Sequence, residues 1–156
     1  NRYHLLPRGT VWCQPATVQG AIAQLGAALA GGNRVMWHVA HAALAQPLHT
    51  HLQTLPPTVQ ARMAWSDEST HGNAQHALAH NDMPLGAVLF EGDSDILQTL
   101  VQQAAQRPGP LLPVYGLSTS QIQTGTSYDP ARLVAEKTIS INTTAAGGNA
   151  SLMTLV

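Results

Sequence analysis

Charged side chains are scarce in this chain. Only 10% of its 156 residues carry a charge, and the formal net charge is -1. This balance produces no broad positive potential, so it disfavours nucleic acid and acidic membrane surfaces as electrostatic partners. A free-standing soluble domain usually has a more charged surface. The scarcity therefore favours a domain that has one face covered by another domain.

Cysteine and long apolar runs are equally scarce. The single cysteine, Cys13, excludes an intramolecular disulfide and is typical of a reducing compartment. No run is apolar for long enough to span a bilayer, and no basic region followed by an apolar stretch opens the sequence. We therefore predict neither a transmembrane helix nor a signal peptide within these residues.

The chain does contain an alternation of short strands and helices. Apolar residues recur at helical spacing over residues 17–30, and Gly31-Gly32 is typical of a helix end. Predicted strands cover residues 3–6, 10–14, 34–37, 86–90 and 111–115. Predicted helices cover 17–30, 39–52 with Pro47 as a kink or break, and a segment that Asp93 or Ser94 caps. Residues 59–65 are ambiguous, 66–84 and 118–126 are predicted as polar connections, and 129–133 as one helical turn. This order predicts an α/β fold, a Rossmann-like parallel sheet with flanking helices.

The last twenty residues carry the most distinctive pattern. Ile139 and Ile141 alternate with polar residues, as in a half-buried strand. Small residues follow, and no charged side chain occurs after Lys137. Disordered tails are usually polar and charged. We therefore predict that this stretch docks on a partner or on its own domain, and a final strand packed on its own sheet stays an alternative.

Three segments carry a resemblance to a known family. VAEKTISINTTAAGGNASLM at 134–153 closely resembles the C-terminal motif of the proline utilization A family. GAVLFEGDSD at 86–95 and YHLLPR at 3–8 with VWC at 11–13 extend the resemblance. These bacterial enzymes use FAD and NAD to oxidise proline to glutamate. The resemblance implies that the chain is the final domain of a longer cytoplasmic protein, one that can associate peripherally with the inner membrane.

The resemblance also implies a division of labour within the chain. Residues 1–133 would form an aldehyde-dehydrogenase-related domain, and residues 134–156 a flap strand and docking tail. The partner would be the pyrroline-5-carboxylate dehydrogenase domain of the same parent chain, whose active site and aldehyde passage the tail would cover. The implied flap strand comprises Thr138, Ile139, Ser140, Ile141 and Asn142. The implied docking tail comprises Ala146, Gly147, Gly148, Asn149, Ala150, Ser151, Leu152 and Met153.

Aldehyde dehydrogenases hold the NAD ribose with a Lys-Pro-Ser-Glu motif that follows a strand. The corresponding positions here are His38, Val39, Ala40 and His41, so the fixed cation and the carboxylate are both replaced. The family's Phe-Thr-Gly-Ser turn corresponds to Phe90-Glu91-Gly92-Asp93. Asp93 stands at the position of the serine, and Asp95 is nearby. These two carboxylates would fill or repel a pyrophosphate site, and Asp93 is also a good helix N-cap. We predict that this chain itself holds no cofactor.

Catalytic groups of the aldehyde dehydrogenase type are also missing. Such enzymes need a cysteine nucleophile and a glutamate base. Cys13 lies in the first strands, where no family nucleophile is found, and Val114 stands at the position of the glutamate. We therefore predict that the chain is not catalytic and that Cys13 is a buried apolar side chain.

Eight histidines raise the possibility of a metal site. A pair four residues apart on a helix could bind zinc. No glutamate lies within the frame of that pair, and no cysteine is near it. We therefore predict no metal site. The spaced pairs are His38 with His41, His49 with His51, and His76 with His80.

Two further functions stay open from the sequence. The flap strand could pair with its copy in a second chain, which would make the isolated domain a homodimer. The other alternative is a free-standing nucleotide-binding domain. The replacement of the ribose-binding residues argues against it.

Overall fold

The computed structural model describes residues 1–66, 78 and 84–141. Seven strands lie in this part of the chain: β1 Arg2–Pro7, β2 Thr10–Gln14, β3 Arg34–His38, β4 Met63–Ser66, β5 Leu85–Glu91, β6 Val114–Leu117 and β7 Val134–Ile139. The helices are α1 Val18–Ala30, α2 Ala42–Gln53, α3 Pro57–Gln60, α4 Ser94–Ala105 and α5 Thr119–Gln123. Two 3-10 turns cover Val39–His41 and Pro130–Leu133.

The body of the molecule is a five-stranded parallel sheet in the order β4-β3-β2-β5-β6. Its first strand in sequence, β2, is central, and Cys13 pairs in register with Trp37 on one side and Leu89 on the other. The chain builds outward from β2 through β3 and β4, then returns to the opposite side with β5 and β6. The predicted α/β class and parallel sheet are confirmed. The reversal of strand order puts a topological switch point between β2 and β5.

Alternating side chains of the central strands supply two apolar layers. Val11, Cys13, Val35, Trp37, Ala87 and Leu89 form one layer with residues of α1 that include Ala28. Trp12, Met36, Val88 and Phe90 form the other with Leu100 of α4 and Leu78. The alanines of α1 lack bulk, so this helix packs closely on the sheet. Burial of both faces is what parallel strands require.

Several local predictions hold, and others need correction. Thr17 caps α1, since its Oγ1 accepts a hydrogen bond from Gly20 N at 3.0 Å. Asp93 occupies the N-cap position of α4 but makes no side-chain capping bond. The predicted helix 39–52 is a 3-10 turn followed by α2, which continues through Pro47. The ambiguous stretch 59–65 contains the end of α3 and most of β4.

One predicted connection differs from the structure because short-range polar contacts form a helix there. Residues 118–126 contain α5, which begins with a capping box between Ser118 and Gln121. The strand predicted at 111–115 is β6, which begins later, at Val114. The predicted loop 66–84 lies outside the described residues except for Ser66, Leu78 and Pro84, and so do His76 and His80.

The strands β1 and β7 form a separate two-stranded antiparallel ribbon. Arg2 pairs with Ile139 at one end and Pro7 with Val134 at the other. The flap strand predicted at 138–142 is wrong in its limits, because β7 begins at Val134 and ends at Ile139. Ser140 and Ile141 follow it without strand structure, and Asn142 lies outside the described residues.

Across residues 1–66, 78 and 84–141, none of the helices has both the length and the apolar character needed to cross a bilayer.

Candidate functional site

The carboxyl ends of β2 and β5 flank the switch point, where open parallel sheets usually bind their ligands. The side chain of Glu91, the last residue of β5, lies in this crevice and is only 2% exposed. Its Oε2 accepts hydrogen bonds from the backbone N–H groups of Ala16 and Thr17, each at 2.8 Å. Its Oε1 accepts from Thr17 Oγ1 at 2.8 Å. The crevice therefore holds an anion-binding arrangement that the protein's own carboxylate fills.

The fit between Glu91 and α1 depends on a glycine in the first turn. A Cβ added at Gly20 would overlap the Glu91 carboxylate. The absent side chain lets the carboxylate lie against the start of α1, where unpaired N–H groups and the helix dipole favour negative charge. A phosphate bound at a helix N-terminus uses the same interactions.

A buried polar network closes the crevice beside Glu91. Tyr128 Oη donates to the carbonyl oxygen of Phe90 at 2.6 Å and accepts from Gln24 Nε2 at 3.1 Å. The same Gln24 nitrogen is 3.2 Å from the carbonyl oxygen of Gln14. Burial raises the pKa of Tyr128, and the nearby charge of Glu91 acts in the same direction. The phenol therefore stays protonated and keeps its role as a donor across the ends of β2 and β5.

The positions corresponding to the ribose-binding motif have a local structural role here. His38 Nδ1 accepts a hydrogen bond from Ala40 N at 3.1 Å and so caps the 3-10 turn. The rings of His38 and His41 lie 6.4 Å apart between centroids. Desolvation lowers the pKa of His41, and the charge of His38 lowers it further. A neutral imidazole at this position is not a carboxylate acceptor for ribose hydroxyls.

The candidate catalytic positions are unsuited to nucleophilic chemistry. Cys13 is fully buried, and burial raises the pKa of its thiol, so a thiolate is disfavoured. Val114 opens β6 and lines a surface cavity with Tyr115 and Arg132. In the described part of the chain, no three His, Cys, Asp or Glu side chains are grouped so as to hold a metal ion.

The ribbon exposes apolar side chains to solvent. Tyr3 and Leu5 are each 58% exposed, and Ile141, just beyond β7, is 75% exposed. Every residue of β1 is solvent-exposed. A two-stranded ribbon is marginally stable by itself in water, so its base needs support from the body of the domain.

Asn33 supplies much of that support. It is 1% exposed, and its Oδ1 accepts from Gly9 N at 3.1 Å. Its Nδ2 donates to Ala28 O at 3.3 Å and to Leu133 O at 3.0 Å. Arg8 adds a bond from its backbone N–H to Leu133 O at 3.3 Å. We call this set of contacts the root of the ribbon, because it ties both strand bases to the end of α1.

Sequence reasoning placed Glu91 in a cofactor-site turn but missed its contact with α1. The signal was present as a glutamate at the end of an apolar strand, with a glycine three residues after the Thr17 cap in the first helix. The predicted docking tail, Ala146 to Met153, lies outside the described residues, so its role stays a prediction.

Comparison with known proteins places these features in context. No family model matches the chain. The bifunctional protein PutA of Rhizobium meliloti is 38% identical over 156 residues, which is 99% of this chain and 12% of that protein. PutA of Escherichia coli K12 is 37% identical over 158 residues, covering 99% of this chain and 10% of the relative. PutA of Salmonella typhimurium LT2 is 36% identical over a similar span, 157 residues.

Solved structures give the same result for the fold. A crystal structure of a Bradyrhizobium japonicum proline utilization A variant matches with a TM-score of 0.55 and 22% identity, covering 74% of this chain and 12% of that one. A crystal structure of bifunctional proline utilization A (PutA) protein matches with the same TM-score, 0.55, and the same coverage, 74% and 12%.

The fold is thus a Rossmann-like α/β domain of the type found within these large enzymes, with an added antiparallel ribbon. The chain belongs to the PutA family and corresponds to one segment of it, as its sequence motifs predicted. It spans only 10–12% of the length of the first three curated relatives described above.

Proposed function

We propose that this chain is a non-catalytic module of a bifunctional enzyme that oxidises proline to glutamate. It packs on the pyrroline-5-carboxylate dehydrogenase domain of the same parent chain and covers the active site and the aldehyde passage of that domain. FAD and NAD belong to other parts of the parent, which we expect in the bacterial cytoplasm, with peripheral association at the inner membrane. The observation that carries the proposal is the occupation of the switch-point crevice by Glu91.

A dinucleotide in this crevice would compete with Glu91 for the start of α1. Its pyrophosphate would need the backbone N–H groups of Ala16 and Thr17, which already bind the carboxylate at 2.8 Å. Both groups are anions, so they cannot share the site without strong repulsion in a desolvated crevice. Displacing Glu91 would break charge-assisted bonds worth roughly 1.5–3 kcal/mol each. These costs favour a scaffold that keeps the fold without the cofactor.

The ribbon and the tail offer the means of docking. An exposed strand edge can add to a partner sheet through main-chain hydrogen bonds, with Tyr3 and Leu5 filling pockets. Beyond the ribbon, Gly147-Gly148 would let the backbone approach a partner loop closely, and Leu152 with Met153 would exclude water there. Exclusion of water protects a reactive aldehyde between two active sites.

The test is deletion of residues 145–156 from the full-length protein. We expect slower aldehyde oxidation and loss of direct transfer from the proline-oxidising site, with proline oxidation itself unchanged. Substitution Gln102→Ala, at an exposed position of α4, provides a matched control that should change neither activity. Unchanged aldehyde oxidation and transfer in the deletion variant would refute the proposal.

The exposed ribbon also supports a second candidate, an oligomerisation module in which β1 or β7 pairs with its copy in another chain. Sedimentation of residues 1–156 and of the parent, each with and without Leu5→Asp, tests this. A parent dimer that the substitution dissociates favours pairing between copies. A parent whose size does not change favours docking within one chain.

The nucleotide-binding alternative is tested by calorimetric titration of NAD into residues 1–156. We expect no measurable heat of binding. Micromolar affinity would restore this alternative and remove the basis of a non-catalytic scaffold.

A further inference from the structure

Three arginines lie side by side at the amino edge of the parallel sheet. Arg34 opens β3, while Arg8 and Arg62 come just before β2 and β4. Backbone bonds join their strands at this point, because Arg34 N donates to Gly9 O at 2.9 Å and Val35 N donates to Arg62 O at 2.8 Å. All three arginines are exposed. We call Arg8, Arg34 and Arg62 the amino-edge cluster.

Two members of the cluster donate hydrogen bonds to backbone carbonyl oxygens of the described residues. Arg62 Nη1 donates to the carbonyl oxygen of Gly32 at 3.1 Å, and Arg8 Nε donates to that of Arg132 at 2.9 Å. In residues 1–66, 78 and 84–141, the recorded side-chain bonds of the cluster go to neutral carbonyls only. A guanidinium has five N–H donors, so each keeps several for another acceptor.

The described carboxylates lie elsewhere in the fold. Glu91 is bound under α1, and Asp93 with Asp95 stands at the start of α4, all at the opposite edge of the sheet. Asp129 accepts from Ala131 N in its own 3-10 turn, at 2.9 Å. Glu136 pairs in register with Leu5 on the ribbon. Glu91, Asp93 and Asp95 therefore lie at the carboxyl edge of the sheet, across it from the three arginines of the amino-edge cluster.

The surface at the cluster is concave. A cavity of about 420 Å³ opens between the ends of β1, β2, β3 and β5. Arg8 and Arg34 line it, together with Thr10, Gly32, Pro84 and Leu85. A protruding carboxylate side chain could enter this cavity and meet two guanidinium groups, which form bidentate bonds with carboxylates.

We propose that the amino-edge cluster binds an acidic protein surface outside residues 1–156. Adjacent strands lie about 4.8 Å apart, so three neighbouring cations repel one another unless a counter-charge approaches. Arg8 directly follows β1, so this surface is continuous with the base of the ribbon. The first three relatives extend far beyond the matched region, which is 10–12% of their length, and the partner surface lies in that remainder.

The chemistry of the cluster favours protein over nucleic acid. Salt-dependent nucleic-acid binding typically uses about six to ten phosphate contacts, and this cluster supplies three cations. Its neighbours Thr10, Gly32 and Pro84 offer no aromatic face on which a base could stack. The proposal is independent of the tail, so a deletion that leaves activity unchanged would not affect it.

Carbodiimide cross-linking of the full-length protein tests the proposal. Arginine does not condense with carboxylates under these conditions, whereas lysine does, so Arg34→Lys and Arg62→Lys install a reporter while keeping the charge. Gln19→Lys, at an exposed position of α1, is the matched control. We expect mass spectrometry to find cross-links from positions 34 and 62 to Asp or Glu outside residues 1–156, at about tenfold the yield of the control, falling about tenfold in 0.5 M salt.

Two results would overturn the proposal. One is a cross-link that goes only to a carboxylate inside this chain, such as Asp82, or that does not exceed the control. The other is binding of duplex DNA by the parent that Arg34→Gln with Arg62→Gln weakens about tenfold, which would assign the cluster to nucleic acid. A charge swap provides a third measurement. Replacing the cross-linked Asp or Glu with Lys should destabilise the contact, and adding Arg34→Glu to that variant should restore it.

Discussion

Replacing Glu91 with alanine should be among the most destabilising single changes in the domain. Three charge-assisted hydrogen bonds disappear, those from Ala16 N, Thr17 N and Thr17 Oγ1. The two backbone N–H groups lose their acceptor in the crevice, and each buried unsatisfied group costs about 1–3 kcal/mol. Because neighbouring contacts are not additive, we expect a total loss of about 3–5 kcal/mol in the free energy of unfolding.

The isosteric change Glu91→Gln separates charge from shape. Its amide oxygen can still accept from the start of α1, but the amide NH₂ replaces one acceptor oxygen with donors. We expect an intermediate loss of about 1–2 kcal/mol. The control is Asp95→Ala, which removes an exposed carboxylate from the first turn of α4 and should have little effect, because surface charges are screened.

Urea unfolding of residues 1–156, followed by far-ultraviolet circular dichroism, measures these differences. A shift in midpoint without a change in slope reports stability alone. The reasoning about the crevice is wrong if Glu91→Ala and Asp95→Ala differ by less than about 1 kcal/mol. It is also wrong if Glu91→Gln is as damaging as Glu91→Ala, because shape would then contribute nothing.

Three further experiments test the same structure. Gly20→Ala should cost about 2 kcal/mol or more in urea unfolding because its Cβ overlaps the Glu91 carboxylate, and addition of this change to Glu91→Ala should cost much less. Asn33→Ala should lower thermal stability by about 2–4 kcal/mol, since Gly9 N and two carbonyls lose a buried partner; an unchanged melting temperature would contradict the role of the root. Burial raises the pKa of the Cys13 thiol, so a disulfide reagent at pH 8 should label it only after unfolding; labelling of the folded chain at a rate within about tenfold of the unfolded rate would be inconsistent with that burial.

The parts of the fold that depend on local pattern were predictable from the sequence. The apolar runs of β2, β3 and β5 mark buried strands, and Gly31-Gly32 marks the end of α1. Alternation of strands and helices then requires parallel pairing. The start of α5 also had a local signal, a serine followed three residues later by glutamine, and this capping box was overlooked.

The candidate site was harder to predict from the sequence, because the residues that contact one another there are distant in sequence. Glu91 meets Thr17 across 74 residues, and no local pattern distinguishes a buried glutamate from a solvated one at a strand end. The limits of β7 were misplaced for a similar reason. Its residues pair with β1 at the other end of the chain, so the partner strand and the root set its register, whereas alternation favoured a strand nearer the tail.

The root determines how precisely the orientation of the ribbon is fixed relative to the parallel sheet. Six residues of β1 extend about 20 Å from their base, so a tilt of about 5° at Asn33 would move the far end by nearly 2 Å, more than a hydrogen bond tolerates. The three hydrogen bonds of the Asn33 side chain therefore fix the orientation of the ribbon, because a small rotation at its base becomes a larger displacement at its far end. A partner that contacts Tyr3 therefore depends on Asn33, which is buried at the opposite end of the ribbon.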